Sequence, residues 1–180
     1  MTDDSDDRAT PSDQRGGAAN RSTWADPPAN EAHNPEQDGR HRQSFHGWLT
    51  DAMHAGDRIA VTIVEQRFTG TVEEVGEDLL GLRAIFGRVD LHVAAGIPLH
   101  IELVDHPTSG GHRGRTDRGF SAALAARDPD ADTTVGTVFH PDGLDGQVSA
   151  GNDFLITKAR AGAVTVIPLS QVAWVCDRRT

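Results

Sequence analysis

The sequence predicts a mainly β protein: two tandem five-stranded β-barrels, each preceded by a short helix, behind a disordered N-terminal tail. Three observations predict it. Residues 1–43 hold almost no large apolar side chains. From residue 57 onward, apolar residues recur with a period of two and are interrupted by turn glycines. Two turn-and-strand segments also occur twice: Phe68-Thr-Gly70-Thr-Val72 and Gly87-Arg-Val89-Asp-Leu91 return as Leu144-Asp-Gly146-Gln-Val148 and Gly162-Ala-Val164-Thr-Val166. Recurrence at a near-constant spacing marks a duplicated structural unit.

The tail carries Asp3, Asp4, Asp6 and Asp7, four of the nine prolines, and Trp24 as its one large apolar residue beyond Met1. Such a segment cannot bury enough surface to offset the entropy of ordering it, so a disordered, solubilising leader is expected. Order is expected from Ser44. Phe45, Trp48, Leu49 and Met53 share one helical face, with Ser44 as N-cap and Gly56 as stop. Ile59, Val61 and Ile63 then alternate as a first strand, and Gly70-Thr-Val72 centres a second. Leu79 to Phe86 forms a third. After Gly87, Val89, Leu91 and Val93 point inward with Asp90 and His92 outward. Ile97 to Leu103 closes the unit with His100 and Glu102 outward. Short strands joined by tight turns suggest a bent sheet closed as a small barrel.

Residues 44–104 form this first unit. Residues 105–119 read as a Gly/Arg-rich linker, and residues 120–177 as the second unit. Its helix is weaker: Phe120, Ala123 and Leu124 share a face, Arg127 stands where the next apolar residue would fall, Ser121 offers a cap, and Asp128-Pro129 a stop. Strands follow over 134–139, 144–149, 154–158, 164–168 and 172–176. The last of them puts Val172, Trp174 and Cys176 on one face, with Ala173 and Val175 on the other. That second face is apolar and needs cover, from the first unit or from another copy of the chain.

The spacing of the repeat gives an expected register. It is 76 in the first part of the unit, from Ile59 to Val135 and from Gly70 to Gly146, and 75 afterwards, from Leu80 to Leu155, Leu91 to Val166 and Leu99 to Trp174. The change falls in the turn Glu73 to Asp78, where a deletion disturbs no strand.

Composition excludes several functions. With 17 basic and 27 acidic residues the formal charge is −10, contrary to what a nonspecific nucleic-acid binder needs. The single Cys176 allows no internal disulfide, and no apolar run is long enough to span a bilayer, so a soluble cytoplasmic protein is expected. Sixteen of the basic residues are Arg, Lys158 being the exception, which reads as the codon bias of a GC-rich genome.

The order helix, strand, Gly-x-Val strand, a strand entered through Asp78-Leu-Leu or Asp153-Phe-Leu, a fourth strand, and Val166-Ile-Pro-Leu-Ser-Gln-Val-Ala-Trp-Val175 resembles the Sm-like, SH3-type β-barrel, present as a tandem pair. It is also similar to small bacterial proteins from GC-rich genomes that end in a Pro-Leu-x-x-Val-x-x-Val strand pair. The resemblance implies the barrel fold. It does not carry RNA binding with it. The Sm-like loops that hold RNA use an Asp-aromatic-Met-Asn pattern and an Arg-Gly pattern. Here those places hold Glu77-Asp-Leu-Leu80 and Asn152-Asp-Phe-Leu155, then Ala94-Ala-Gly96 and Leu169-Ser-Gln171, with no Arg in the second loop of either unit.

The remaining candidates are few. The linker's Arg113, Arg115 and Arg118 could contact a phosphate backbone or an acidic partner, but no aromatic interleaves them, and a solvated, flexible linker is the favoured reading. Ala173 and Val175 are candidate interface residues. His140-Pro-Asp142 reads as a hairpin turn. His46, Asp51 and His54, like His92, His100 and Glu102, do not complete a metal set. Cys176 is expected beside Trp174 in the core. No catalytic residue, metal or cofactor is expected. The expected function is a noncatalytic binding or assembly module working through contacts with a protein partner or with itself. The alternative is a nucleic-acid-associated regulator using the Arg-rich segment.

Overall fold

The computed structural model describes residues 44–94, 96–107, 111 and 117–177. Ten antiparallel strands and two helices make it mainly β. Helix α1 spans Phe45–Ala55, followed by β1 (Arg58–Ile63), β2 (Gln66–Val75), β3 (Leu79–Ala84), β4 (Gly87–His92) and β5 (Leu99–Asp105). Helix α2 (Phe120–Ala125) then leads into β6 (Thr133–Thr137), β7 (Leu144–Ala150), β8 (Phe154–Lys158), β9 (Val164–Pro168) and β10 (Val172–Asp177).

The strands pair in the order β5-β1-β2-β3-β4-β10-β6-β7-β8-β9, one open ten-stranded series. Two halves are visible in it. In each, the fifth strand lies beside the first, and the second, third and fourth follow. The halves join where β4 pairs with β10, Leu91 facing Trp174, Asp90 facing Val175 and Val89 facing Cys176.

The helices differ in how their ends are satisfied. Ser44 caps α1 as expected, its Oγ accepting from Gly47 N at 3.0 Å, and Gly56 ends it in the left-handed conformation at φ 75°. Helix α2 starts from Gly119, not from Ser121, and no side chain of its own caps it. Its first amide, Phe120 N, donates instead to Asp78 Oδ1 at 2.6 Å, a carboxylate of the first half.

Strand pairing supports the repeat and changes its register. Gly70 and Gly146 occupy the same place. A Cβ on Gly70 would lie 2.6 Å from the carbonyl oxygen of Arg83, and one on Gly146 2.5 Å from that of Lys158, so each is required by the close approach of the next strand. Around this fixed point other strands have slipped. Ile59 faces Gly70 whereas Thr133 faces Gly146, a spacing of 74 from first strand to first strand. Leu80 faces Leu91 and Leu155 faces Ile167, so β4 maps to β9 with a spacing of 76. Val61 faces Ile101 and Val135 faces Val175, so β5 maps to β10 with a spacing of 74. The expected single change of spacing is therefore replaced by several. The extra residue before β9 comes from a longer connection: Ala84 and Gly87 close the β3–β4 hairpin around Ile85 and Phe86, while β8 and β9 are separated by Ala159 to Ala163.

For β9 the correction is odd and reverses the faces. Val164 and Val166, expected inward, are each 61 % exposed, and Ile167 fills the core position of Leu91. In β10 a bulge between Val172 and Trp174 also breaks the expected alternation.

Two apolar clusters result. The larger gathers Leu49 and Met53 of α1 with residues of β1 to β4, and it also takes in Ala173 and Trp174 of the second half. The smaller joins Phe120 and Leu124 of α2 to Val135, Val148, Leu155, Ile167, Val172 and Val175, and includes Leu79 of the first half. Each half thus contributes to the other's core.

Candidate functional site

The β4–β10 junction holds the densest chemistry among the described residues. Trp174 anchors it. Its ring meets Phe68 edge-on at 5.0 Å between centroids, a geometry favoured by the ring quadrupoles. It lies so close over Gly136 that a Cβ there would fall 1.9 Å from Trp174 Cε2. On the opposite side, His92 stacks on Phe120 at 4.5 Å, and its Nδ1 donates to the carbonyl of Val172 at 2.9 Å. His92 and Asp90, expected outward, are both buried because β10 and α2 cover β4.

Six charges run along the same junction. Arg118 meets Glu74 through Nε at 3.0 Å and through a terminal nitrogen at 2.8 Å. Arg88 bonds Glu74 with one nitrogen and Asp90 Oδ1 with Nε at 2.8 Å. Arg127 bonds Asp90 Oδ2 at 2.7 Å, the Val175 carbonyl at 3.3 Å, and Asp177. Three carboxylates balance three guanidiniums, so the set is neutral. Glu74, Asp90 and Arg127 are nearly inaccessible to solvent, so each needs its charged partner within the set. Burial alone would raise the Glu74 carboxyl, but hydrogen bonds from Arg118 and Arg88 outweigh it and hold the pKa at about 2. Burial disfavours charge on Arg88 as well, and Asp90 and Glu74 more than compensate, leaving its pKa raised. Burial pushes the Cys176 thiol up, consistent with a packing role opposite Val89.

The sequence candidates fall as follows. Arg113 and Arg115 lie outside the described residues. Arg118 pairs with Glu74 through two of its nitrogens, with 36 % of its side chain exposed. Ala173 and Val175 are fully buried and do not share an outer face. The bulge sends Ala173 into the first half's core and Val175 into the second's, so the cover that this strand needed comes from within the chain. His140-Pro-Asp142 is a turn, the His140 carbonyl accepting from Thr137 N and Gly143 N. His100 and Glu102 are exposed, as expected, with Nε2 and Oε1 3.4 Å apart, while His92 is at the opposite side of the first half in the pairing order. Among the described residues no group of three or more His, Cys, Asp or Glu is arranged to hold a metal.

The six-charge set was not visible in the sequence as a set. Two clues were present: Arg127 in an apolar position of its helix pattern, and Asp90 between Val89 and Leu91.

Exposed apolar side chains occur at turns, as at Ile85 and Phe139, and on the two outermost strands. Leu103 and Val104 on β5, and Val164 and Val166 on β9, are exposed apolar side chains on strands with one neighbour each among the described residues. Beside β5 a groove of about 720 Å³ runs along α1, lined by Phe45, Trp48, Leu103 and the pair His106–Asp57, whose Nδ1 and Oδ1 are 2.5 Å apart. No helix among the described residues is long and apolar enough to cross a membrane. No protein-family model, curated protein or solved structure matches the chain.

Proposed function

We propose that this protein is a noncatalytic binding or assembly module that acts through protein–protein contacts, built from two tandem Sm-like, SH3-type units and working in the cytoplasm. The observation that carries the reading is the open sheet, whose outer strands β5 and β9 each have one strand neighbour among the described residues and carry exposed apolar side chains. An unpaired strand edge is a template for an added strand. The repeated strand order supports the tandem-unit part of the proposal. The charge set is neutral and its carboxylates are paired within the chain, which supports a structural rather than a catalytic use of these residues.

The experiment is affinity capture from the native cell with the full chain as bait, run beside Val166→Lys and Leu103→Lys. A partner held by the wild-type chain and lost from either variant is the expected result. A partner retained equally by both variants would contradict the reading, as would salt-sensitive oligonucleotide binding abolished by replacing Arg113, Arg115 and Arg118 with Ala.

A further inference from the structure

The internal junction shows what kind of strand each free edge accepts. Strand β4, the fourth of the first half, pairs with β10, the fifth of the second. Among the described residues, the two strands left with a single neighbour are β9, the fourth strand of the second half, and β5, the fifth strand of the first. One chain therefore carries both members of a pairing that it already makes once. We propose that copies of this chain add head to tail, with β9 of one copy pairing antiparallel to β5 of the next.

The proposal rests on the reading of the strand edges as protein-binding surfaces, and it specifies the partner. Strand equivalences give the register. Val61 faces Ile101 as Val135 faces Val175, and Gly81 faces Asp90 as Ile156 faces Val166. Transferring the internal pairs Trp174–Leu91, Val175–Asp90 and Cys176–Val89 then places His100 opposite Ile167, Ile101 opposite Val166 and Glu102 opposite Thr165. No proline interrupts either edge: Pro98 precedes β5, and Pro168 is the last residue of β9.

The helices give a second, independent indication. At the internal junction Phe120 is 1 % exposed because it stacks on His92 of the preceding half, and its amide is capped by that half's Asp78. Phe45 opens α1 as Phe120 opens α2, yet it is 50 % exposed and lines the groove beside free β5. Asp153 holds the place of Asp78, since the Asp78 carbonyl accepts from Val93 N at 2.8 Å and that of Asp153 from Leu169 N at 2.9 Å. Docking β9 onto β5 brings the β9 end of one copy toward Phe45 of the next, where burial would complete what Phe120 has already. A pairing of unlike edges is heterologous, so repeated addition closes as a ring or continues as a filament.

The test uses the full chain in three arms. Sedimentation velocity up to about 1 mM is expected to show concentration-dependent species larger than one copy. Val166→Lys is expected to abolish them without changing the melting curve, with Val164→Lys as a second variant should the first fold poorly. Disulfide trapping then reads the register, because directly opposed residues of an antiparallel pair have Cα atoms about 4.5–5.5 Å apart, within disulfide range. Glu102→Cys mixed with Thr165→Cys is expected to give one heterodimer, and the double variant a ladder or a closed ring. Each single variant alone, and the wild type with Cys176, should give none. A single copy at the highest concentration overturns the proposal. So does a dimer trapped by Thr165→Cys alone, which would mean that like edges pair. Either result leaves the broader protein-binding reading to be decided by the capture experiment.

Discussion

The two halves of this chain share a strand order and differ in what their equivalent strands bury. Strand β4 is covered by β10, and Val89 and Leu91 have no exposed surface. Strand β9 has no outer neighbour among the described residues, and only Ile167 is buried on it. The fifth strands show the reverse. β10 is buried between the halves while β5 is mostly exposed. Local sequence does not explain this, since β9 is as apolar as β4. Position in the sheet does. A strand is covered by the elements that pack on it, and the junction brings β10 and α2 onto β4 and seats β10 between the two cores.

The largest effect is expected at Trp174, the second-half residue lodged in the first half's core. Trp174→Ala should cost about 3–5 kcal/mol, read from the denaturant midpoint. A loss confined to the second half, seen as a biphasic transition, would show that the two cores unfold separately.

Removing one member of the buried charge set should follow closely. Asp90→Ala leaves Arg127 paired only with Asp177 and the Val175 carbonyl, and should destabilise by about 3–5 kcal/mol. Adding Arg127→Met should recover much of it. Failure of the second substitution to recover stability would mean that the loss does not come from stranding Arg127.

Acid should expose the same set. The Glu74 carboxyl titrates at about 2 in the folded chain and near its ordinary value of about 4.3 when unfolded. The folded value is depressed, so the stabilisation is fully present above pH 4.3 and is lost as pH falls toward 2. It amounts to roughly 3 kcal/mol at neutral pH. Stability measured against pH should therefore fall steeply in that window for the wild type and less steeply for Glu74→Gln.

The repeat itself can be sharpened at its fixed point. Gly70→Ala and Gly146→Ala meet the same backbone obstruction, and each should cost about 1–3 kcal/mol. Comparable losses support structural equivalence, while a neutral Gly146→Ala would argue against it. The smallest effect is expected at the free edge, where Val164→Thr should change stability by no more than about 0.5 kcal/mol.

Much of the fold was legible in the sequence because local chemistry determines it. Ser44 and Gly56 bound α1 where capping rules place them, and the Phe154–Lys158 and Val164–Pro168 strands begin and end as their alternation indicates. What was not legible depends on pairing. The spacing of 75 for β9 looked consistent because Val164 and Val166 match Val89 and Leu91 in type, yet a longer turn moves the strand by one residue and turns both valines outward. The bulge in β10 separated Ala173 from Val175 in the same way. The candidate site was less legible still, because Arg118 met its partner Glu74 across 44 residues of sequence, and nothing local distinguishes a committed arginine from a free one.

Residue-resolved amide hydrogen exchange, on the full chain at concentrations where it sediments as a single copy, reads directly whether sheet position sets burial. Burial set by sheet position predicts that amides along β4 and β10 exchange only with global unfolding, while the outward amides of β5 and β9 exchange orders of magnitude faster. Equal protection of β9 and β4, or fast exchange along β10, would contradict it.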